Sequence, residues 1–148
     1  MVGIFKRRSR DATPQQAAPD EATAHPLGFA GEGPYAKSLG DDCGVVFEDD
    51  GTSGYFYATN GDNSEVLDAL WVYDRSNDQA LQPGVEAFIV WNPARRRVGL
   101  FYDERFQAVF DFVAKQGVCR AGLPPTSSSD WSPSGHAWDD SFTEGIEP

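Results

Sequence analysis

Short apolar segments separated by turn residues fill the chain between about Phe29 and Gly122. Their spacing is typical of a β-rich domain, because strands are short and Gly, Pro, Asn and Asp cluster in the turns between them. The segments predicted to be strands are CGVVFE, GYFYAT, EVLDALWVYD, VEAFIVW, RVGLFYD and FQAVFDFV. We therefore predict a mainly β fold with an antiparallel sheet of about six strands, and an α+β arrangement as the alternative.

The stretch VVFEDDGTSGYFYA, residues 45 to 58, predicts a hairpin with an acidic turn. Asp49, Asp50 and Gly51 are residue types that accept tight-turn geometry, and both arms carry the β-branched and aromatic residues that suit strands. The acids do not have the spacing of a calcium-binding loop. We expect Glu48, Asp49 and Asp50 to form a solvated acidic rim that meets a basic partner.

Alternation within VEAFIVW places bulky residues on both faces of that strand, with Val85, Ile89 and Trp91 on one face and Phe88 and Val90 on the other. A strand with one wet face would show polar residues at every second position. This pattern therefore predicts a sheet that is covered on both sides, by another sheet or by a helix.

The two ends of the chain differ from this central part. Residues 1–26 are rich in Ala, Gln, Pro, Thr and charge and lack periodic hydrophobicity, so we predict a disordered N-terminal tail. Residues 27–148 are predicted to be a single β-rich domain, with a short helix near 111–117 that Gly117 closes. Trp131 and Trp138 lie in a loop-rich C-terminal segment, which we expect to pack on the sheet as a lid.

The net charge is -11, but it is unevenly placed. The first ten residues hold four basic residues and no acid, so the remainder holds 8 basic and 23 acidic residues, a net charge of -15. Nucleic-acid binding needs clustered Lys and Arg, and so acidic a body argues against it. The composition instead favours a protein partner with a basic surface, toward which it would be steered electrostatically.

Cys43 and Cys119 are the only cysteines, and no CxxC spacing or pair of histidines accompanies them. We predict reduced thiols, no metal site and no cofactor.

No apolar run is long enough to cross a bilayer, and residues 1–10 lack the order of a signal peptide. The expected location is the cytoplasm.

The best candidate for acid-base chemistry is His136 with Asp139 and Asp140. The candidate nucleophiles are Ser134, Ser141 and Cys119. Catalysis of this kind requires groups that converge in space, and the segment has no nucleophile elbow and no glycine-rich oxyanion loop. A small hydrolase that uses this C-terminal cluster remains an alternative function, and a β domain that binds a small ligand is another.

The segments GDDCGVVFEDDGTSGYFYA, DALWVY, VFDF and CR, followed by the terminal HAWDD, give the chain a family likeness. From about Pro34 to the C-terminus it resembles a family of small bacterial proteins that is defined only as a domain of unknown function. The resemblance implies a single-domain bacterial cytosolic protein, and brings no activity or catalytic residue with it. Its size is similar to that of immunity proteins, which are encoded beside the toxins they neutralise.

Together these observations predict a non-enzymatic protein-binding module. The most concrete form of the prediction is a cytoplasmic immunity protein that occludes the basic active-site cleft of a toxin. The residues predicted to bind the partner combine acids with aromatic rings: Glu48, Asp49, Asp50, Tyr55, Tyr57, Trp71, Trp131, Trp138, Asp139 and Asp140.

Overall fold

The computed structural model describes residues 23–29, 35–38, 43–62, 64–76, 80–82, 85–127 and 129–147, with the backbone alone for 23–29 and 35–38. Residues 1–22 lie outside this part, and so does most of the predicted tail. Its last four residues do not belong to a tail, because a strand begins at Thr23 and pairs with the strand that contains Trp91. The predicted boundary at residue 26 is therefore wrong.

Strands dominate the described residues. In chain order they are β1 (Thr23–Phe29), β2 (Tyr35–Ser38), β3 (Gly44–Asp49), β4 (Ser53–Thr59), β5 (Val66–Asp74), β6 (Glu86–Asn92), β7 (Arg97–Tyr102), β8 (Arg105–Asp111) and β9 (Gln116–Cys119). The mainly β prediction is confirmed. The six predicted segments became β3 to β8, and the count was too low because β1, β2 and β9 were missed.

The strands form two antiparallel sheets. Sheet I has the order β1-β6-β7-β8-β9, and sheet II has the order β2-β3-β4-β5. The seven strands with described side chains, β3 to β9, make up three strands of sheet II and four of sheet I, and β1 and β2 extend them by backbone pairing. Apart from β1, each sheet is a run of sequential hairpins.

The short helix predicted near 111–117 is wrong. Asp111 ends β8, and its Oδ1 accepts hydrogen bonds from the backbone N–H groups of Val113 (2.9 Å) and Ala114 (2.8 Å). This carboxylate holds a turn instead of a helix, Lys115 completes the turn with a φ of 57°, and the chain returns as β9. A 3-10 helix lies at Asp140–Thr143. Within the described ranges, no helix is long and apolar enough to span a membrane.

The core lies between the sheets, and the C-terminal segment covers the other face of sheet I. Inward residues of both sheets share one apolar cluster that includes Phe56 and Leu70 from sheet II and Ile89 from sheet I. On the opposite face of sheet I, Phe101 packs in a second cluster with Ile146. Sheet I is therefore buried on both sides, as the two bulky faces of VEAFIVW predicted.

Candidate functional site

The outer face of sheet II carries a row of aromatic rings. Side chains alternate along a strand, and in β4 Phe56 and Ala58 point into the core. Tyr55 and Tyr57 therefore point outward, and both are half-buried. The half-buried Trp71 of β5 lies opposite Tyr55 in the antiparallel register. We call the row of Tyr57, Tyr55 and Trp71 the aromatic ladder.

The rings of the aromatic ladder are close and nearly parallel. The centroids of Tyr55 and Tyr57 are 6.0 Å apart with an interplanar angle of 15°, and those of Tyr55 and Trp71 are 6.4 Å apart with an angle of 24°. The Trp71 indole is held by a 3.0 Å hydrogen bond from Nε1 to the carbonyl oxygen of Tyr73. The ladder is therefore a fixed π surface.

Glu48 gives this surface its negative charge. It lies opposite Tyr55 on the neighbouring strand β3, and its charge acts on the Tyr57 hydroxyl. Burial raises the pKa of Tyr57, and the charge of Glu48 raises it further. The structure thus brings together four of the predicted partner-binding residues: Glu48, Tyr55, Tyr57 and Trp71.

Asp49 and Asp50 do not share a role. Asp50 is exposed at the tip of the β3–β4 turn, where its Oδ1 accepts hydrogen bonds from Thr52 N (2.9 Å) and Ser53 N (2.8 Å). These bonds lower the pKa of Asp50. The Asp49 side chain is only 2% exposed and lies between Arg75 and the Tyr73 hydroxyl. The prediction that Asp49 meets a partner is therefore wrong, because it is a buried counterion.

The predicted C-terminal contacts lie elsewhere. Trp131 is 4% exposed and packs in the core against Phe110 and Phe112, so its assignment to a partner surface is wrong. Trp138 is half-buried on the outer face of sheet I. Asp139 and Asp140 are exposed beside it at the start of the 3-10 helix. These residues lie across the sandwich from the aromatic ladder, and the ten predicted residues do not form one surface.

A second polar cluster is buried between β5 and the C-terminal segment. Asp68 lies at its centre, with Oδ1 3.0 Å and Oδ2 3.1 Å from Nε2 of His136. Its Oδ2 accepts a hydrogen bond from Ser132 Oγ at 2.6 Å, and its Oδ1 accepts one from Ser127 Oγ at 3.1 Å. The side chains of His136 and Asp68 are 0% and 1% exposed.

Both ring nitrogens of His136 face acceptors. Nδ1 is 2.5 Å from the carbonyl oxygen of Pro124, which can only accept, and Nε2 faces the Asp68 carboxylate. A ring that donates from both nitrogens is an imidazolium. Burial alone would lower the pKa of His136, but its hydrogen bonds to Asp68 and Pro124 raise it. His136 is therefore the positive member of a buried ion pair.

This arrangement differs from a catalytic triad. In a triad the histidine accepts the proton of the nucleophile, and its other nitrogen donates to the carboxylate. Here Ser132 Oγ donates to Asp68, and it accepts the backbone N–H of Gly117 at 2.8 Å. His136 also does not converge with Asp139 and Asp140, which are exposed, whereas His136 is buried.

The candidate nucleophiles do not converge either. Ser134 is exposed, and the Ser141 hydroxyl donates to Asp139 Oδ1 at 2.8 Å. Cys119 is buried, and its burial raises the pKa of the thiol. Cys43 is also buried, and no disulfide joins the two cysteines. Over the described part of the chain, no group of three or more His, Cys, Asp or Glu residues is placed to hold a metal ion.

Sequence reasoning missed Asp68 and the buried role of Asp49, although a signal was present. Asp68 is in phase with the inward residues Leu70 and Val72 of β5, and Asp49 is in phase with Val45 and Phe47 of β3. An acid at a core position of a strand needs a buried partner, because an unpaired buried charge is strongly destabilising. The phase of these acids therefore predicts the ion pairs that the structure contains.

The fold and this surface define a class: an antiparallel two-sheet β-sandwich with an outward aromatic ladder beside a carboxylate. Over residues 33–147 the sequence matches the family described as "Uncharacterized protein conserved in bacteria (DUF2251)". The match covers well over half of the chain, so the chain belongs to this family, and the predicted resemblance to a bacterial domain of unknown function is confirmed. No curated protein and no solved structure gives a significant match.

Proposed function

We propose that this chain is a non-enzymatic protein-binding module that uses the outer face of sheet II to bind a basic surface of another protein. The observation that carries the proposal is the aromatic ladder of Tyr57, Tyr55 and Trp71, which lies beside Glu48 on the outside of the sandwich. Aromatic residues dominate the binding energy of many interfaces, and charged residues surround them at the rim.

The ladder is suited to binding because its rings are already ordered. Stacking and the hydrogen bond of Trp71 Nε1 fix the rings before a partner arrives. Binding therefore loses less side-chain entropy than it would with mobile side chains. Half-buried rings also retain apolar area that a partner can cover.

The charge of the chain supports a basic partner. The net charge is -11, and the exposed Asp50 extends the negative rim beyond Glu48. Such a surface accelerates encounter with a positive one and disfavours acidic partners. The specific form of the proposal is a cytoplasmic bacterial immunity protein whose acidic aromatic face covers the basic cleft of a toxin or effector domain. Occlusion would then be steric and electrostatic.

The hydrolase alternative finds less support in the geometry. A general base needs a lone pair within reach of the proton it removes, and His136 donates from both nitrogens inside the protein.

The small-ligand alternative would need an open space. The cavity beside Asp68, Ala69 and Pro124 has a volume of about 210 Å³, below the range of roughly 300–1,000 Å³ that is usual for ligand pockets. A cavity on sheet I that is lined by Phe88, Phe101 and Glu104 has a volume of about 440 Å³, so this alternative keeps one candidate location.

The proposal is tested by capture with matched variants. The full chain is used as bait in a lysate of its native host, in parallel with Tyr55→Ser and Val113→Ser. Val113 is 72% exposed in the β8–β9 turn of sheet I, so its replacement changes an apolar surface residue away from the ladder. We expect a basic protein that binds the wild type and Val113→Ser, and that Tyr55→Ser loses. The captured protein is then purified, and its binding is measured directly.

A second arm tests the charge. Glu48→Gln and Asp50→Asn together should slow association and flatten its salt dependence, because long-range attraction acts mainly on the association rate. Asp49 is left unchanged, since it is a buried counterion. Equal binding of the wild type and Tyr55→Ser to every captured protein would contradict the proposal. A hydrolytic turnover that His136→Asn abolishes would support the enzyme alternative.

A further inference from the structure

The chain repeatedly places an arginine over an aromatic ring next to a carboxylate. The guanidinium of Arg120 lies 4.1 Å from the centroid of Trp138, whose Nε1 donates to Asp140 at 2.7 Å. In two further sets, the arginine guanidinium lies 5.5 Å from the centroid of the ring. These sets are Arg75 with Tyr73 and Asp49, and Arg97 with Phe142 and Asp111. In each of these three sets an arginine accompanies the ring and the acid.

The aromatic ladder has the ring and the acid without the arginine. Tyr55 and Tyr57 offer stacked faces, and Glu48 lies beside them on β3. Among the residues that the structure describes, no lysine or arginine lies over these rings or pairs with Glu48. No cation of the described residues fills the position that an arginine occupies at the three other sets.

We infer that the ladder is a receptor for an arginine side chain of the partner, which rests on the protein-binding function proposed above. The guanidinium lies over Tyr55 or Tyr57 and pairs with the Glu48 carboxylate. A cation within about 6 Å of a ring centroid is attracted by the negative face of the ring. Its charge also complements that of Glu48.

Arginine fits this site better than lysine does. The guanidinium is planar and weakly hydrated, so it stacks on a ring while its N–H groups pair with a carboxylate. The ammonium of lysine is compact and strongly hydrated, and it loses more hydration on an aromatic surface. The site therefore distinguishes two side chains of equal charge, which a merely acidic surface would not do.

The test uses a short acetylated peptide of alternating glycine and arginine, with lysine and citrulline counterparts. Each is titrated into the full chain at physiological ionic strength, and binding is followed by the amide NMR shifts of residues 55 to 57 and 69 to 71. We expect the arginine peptide to bind more tightly than the lysine peptide, by at most the roughly two- to fivefold factor that a whole cation–π contact at a partly exposed site provides. The uncharged citrulline peptide should leave these shifts unchanged.

Matched variants assign the effect to the ladder. Glu48→Gln and Glu86→Gln remove the same charge, but Glu86 is exposed at the start of β6 in the other sheet. Only Glu48→Gln should reduce the preference for arginine. Tyr57→Phe keeps the ring and should keep the preference, whereas Tyr57→Leu should lose it. Thermal unfolding of each variant checks that the fold is intact.

Equal affinity for the arginine and lysine peptides, or equal effects of Glu48→Gln and Glu86→Gln, would overturn the arginine inference. That result would leave the protein-binding function intact if a captured partner still required Tyr55. Loss of both the arginine preference and any Tyr55-dependent partner would overturn the two proposals together.

Discussion

His136 and Asp68 form an ion pair in the interior, with Nε2 of His136 3.0 Å from Oδ1 of Asp68. The two residues are 68 positions apart in the chain, so the pair connects the C-terminal segment to β5. Burial alone would raise the pKa of Asp68, but hydrogen bonds from His136 and Ser132 hold it below its usual value. The pKa of His136 is raised. The pair therefore links the stability of the fold to pH.

We predict that the free energy of unfolding falls as the pH rises above 6.5, the ordinary pKa of histidine. A raised folded-state pKa stabilises the fold fully below the unfolded-state value, and this contribution is lost as pH rises through the folded-state value. Asp68, with a lowered pKa, loses its contribution only as pH falls below 3.8. Urea titrations between these limits and above pH 6.5 measure the slope.

The matched variants for this prediction are His136→Asn and His25→Asn, since His25 is the other histidine of the chain. The slope above pH 6.5 should disappear in His136→Asn and persist in His25→Asn. Asp68→Asn should be destabilised by about 3–5 kcal/mol, because it leaves a buried imidazolium without its counterion. A slope that survives in His136→Asn would show that other groups cause it.

The two tryptophans Trp131 and Trp71 should differ in their effect on stability. Trp131→Ala opens a cavity in the core, where such truncations cost about 3–5 kcal/mol. Trp71 is half-buried on the outside of sheet II, so Trp71→Ala should cost about 1–2 kcal/mol. Urea denaturation of both variants checks the order, and equal losses would mean that Trp71 belongs to the core.

Replacement of the neighbouring acids Asp49 and Asp50 should also differ in its effect on stability. Asp49→Asn removes the charge that pairs with Arg75 and accepts from Tyr73, so we expect a loss of about 2–4 kcal/mol in unfolding free energy. Asp50→Asn keeps the turn geometry, because Asn accepts the same backbone conformations, and should change stability little. Comparable losses for the two variants would contradict the buried-counterion role of Asp49.

Gly54 tests the contact between β4 and β5. A Cβ atom at this position would overlap the ring of Tyr73, which lies opposite it in the register. We expect Gly54→Ala to cost about 1–3 kcal/mol, the usual effect of overpacking. In a double-mutant cycle, Tyr73→Leu should relieve much of that loss. An additive cycle would show that the alanine is accommodated by a backbone shift instead.

Strands with strong alternation could be predicted from the sequence, whereas the short elements could not. The alternation in VEAFIVW predicted β6 and the burial of both its faces, because successive side chains of a strand point to opposite sides of the sheet. Gln116–Cys119 has too few residues to show a period, and Gly117 was interpreted as the end of a helix. The turn before it depends on the Asp111 carboxylate, a contact that composition does not reveal.

The candidate surface was predictable only in part for a similar reason. The alternation in GYFYA is enough to place Tyr55 and Tyr57 together, because residues two apart in a strand share a face. It did not indicate that Trp131 enters the core or that Trp138 lies on the opposite side of the sandwich. Those positions depend on how the irregular segment after Gly122 crosses the sheets, and such a path has no periodic signal.

The near-sequential arrangement of the strands has a consequence for the order of folding. The meanders β2 to β5 and β6 to β9 close short loops, whereas the pairing of β1 with β6 and the cover of sheet I by Ile146 close long ones. Long closures lose more chain entropy before any contact repays it. The meanders should therefore assemble first. The C-terminal segment should pack on the sheets last, when His136 reaches Asp68. Pulse-labelled hydrogen exchange would show protection at Leu70 and Leu100 before protection at Ile146.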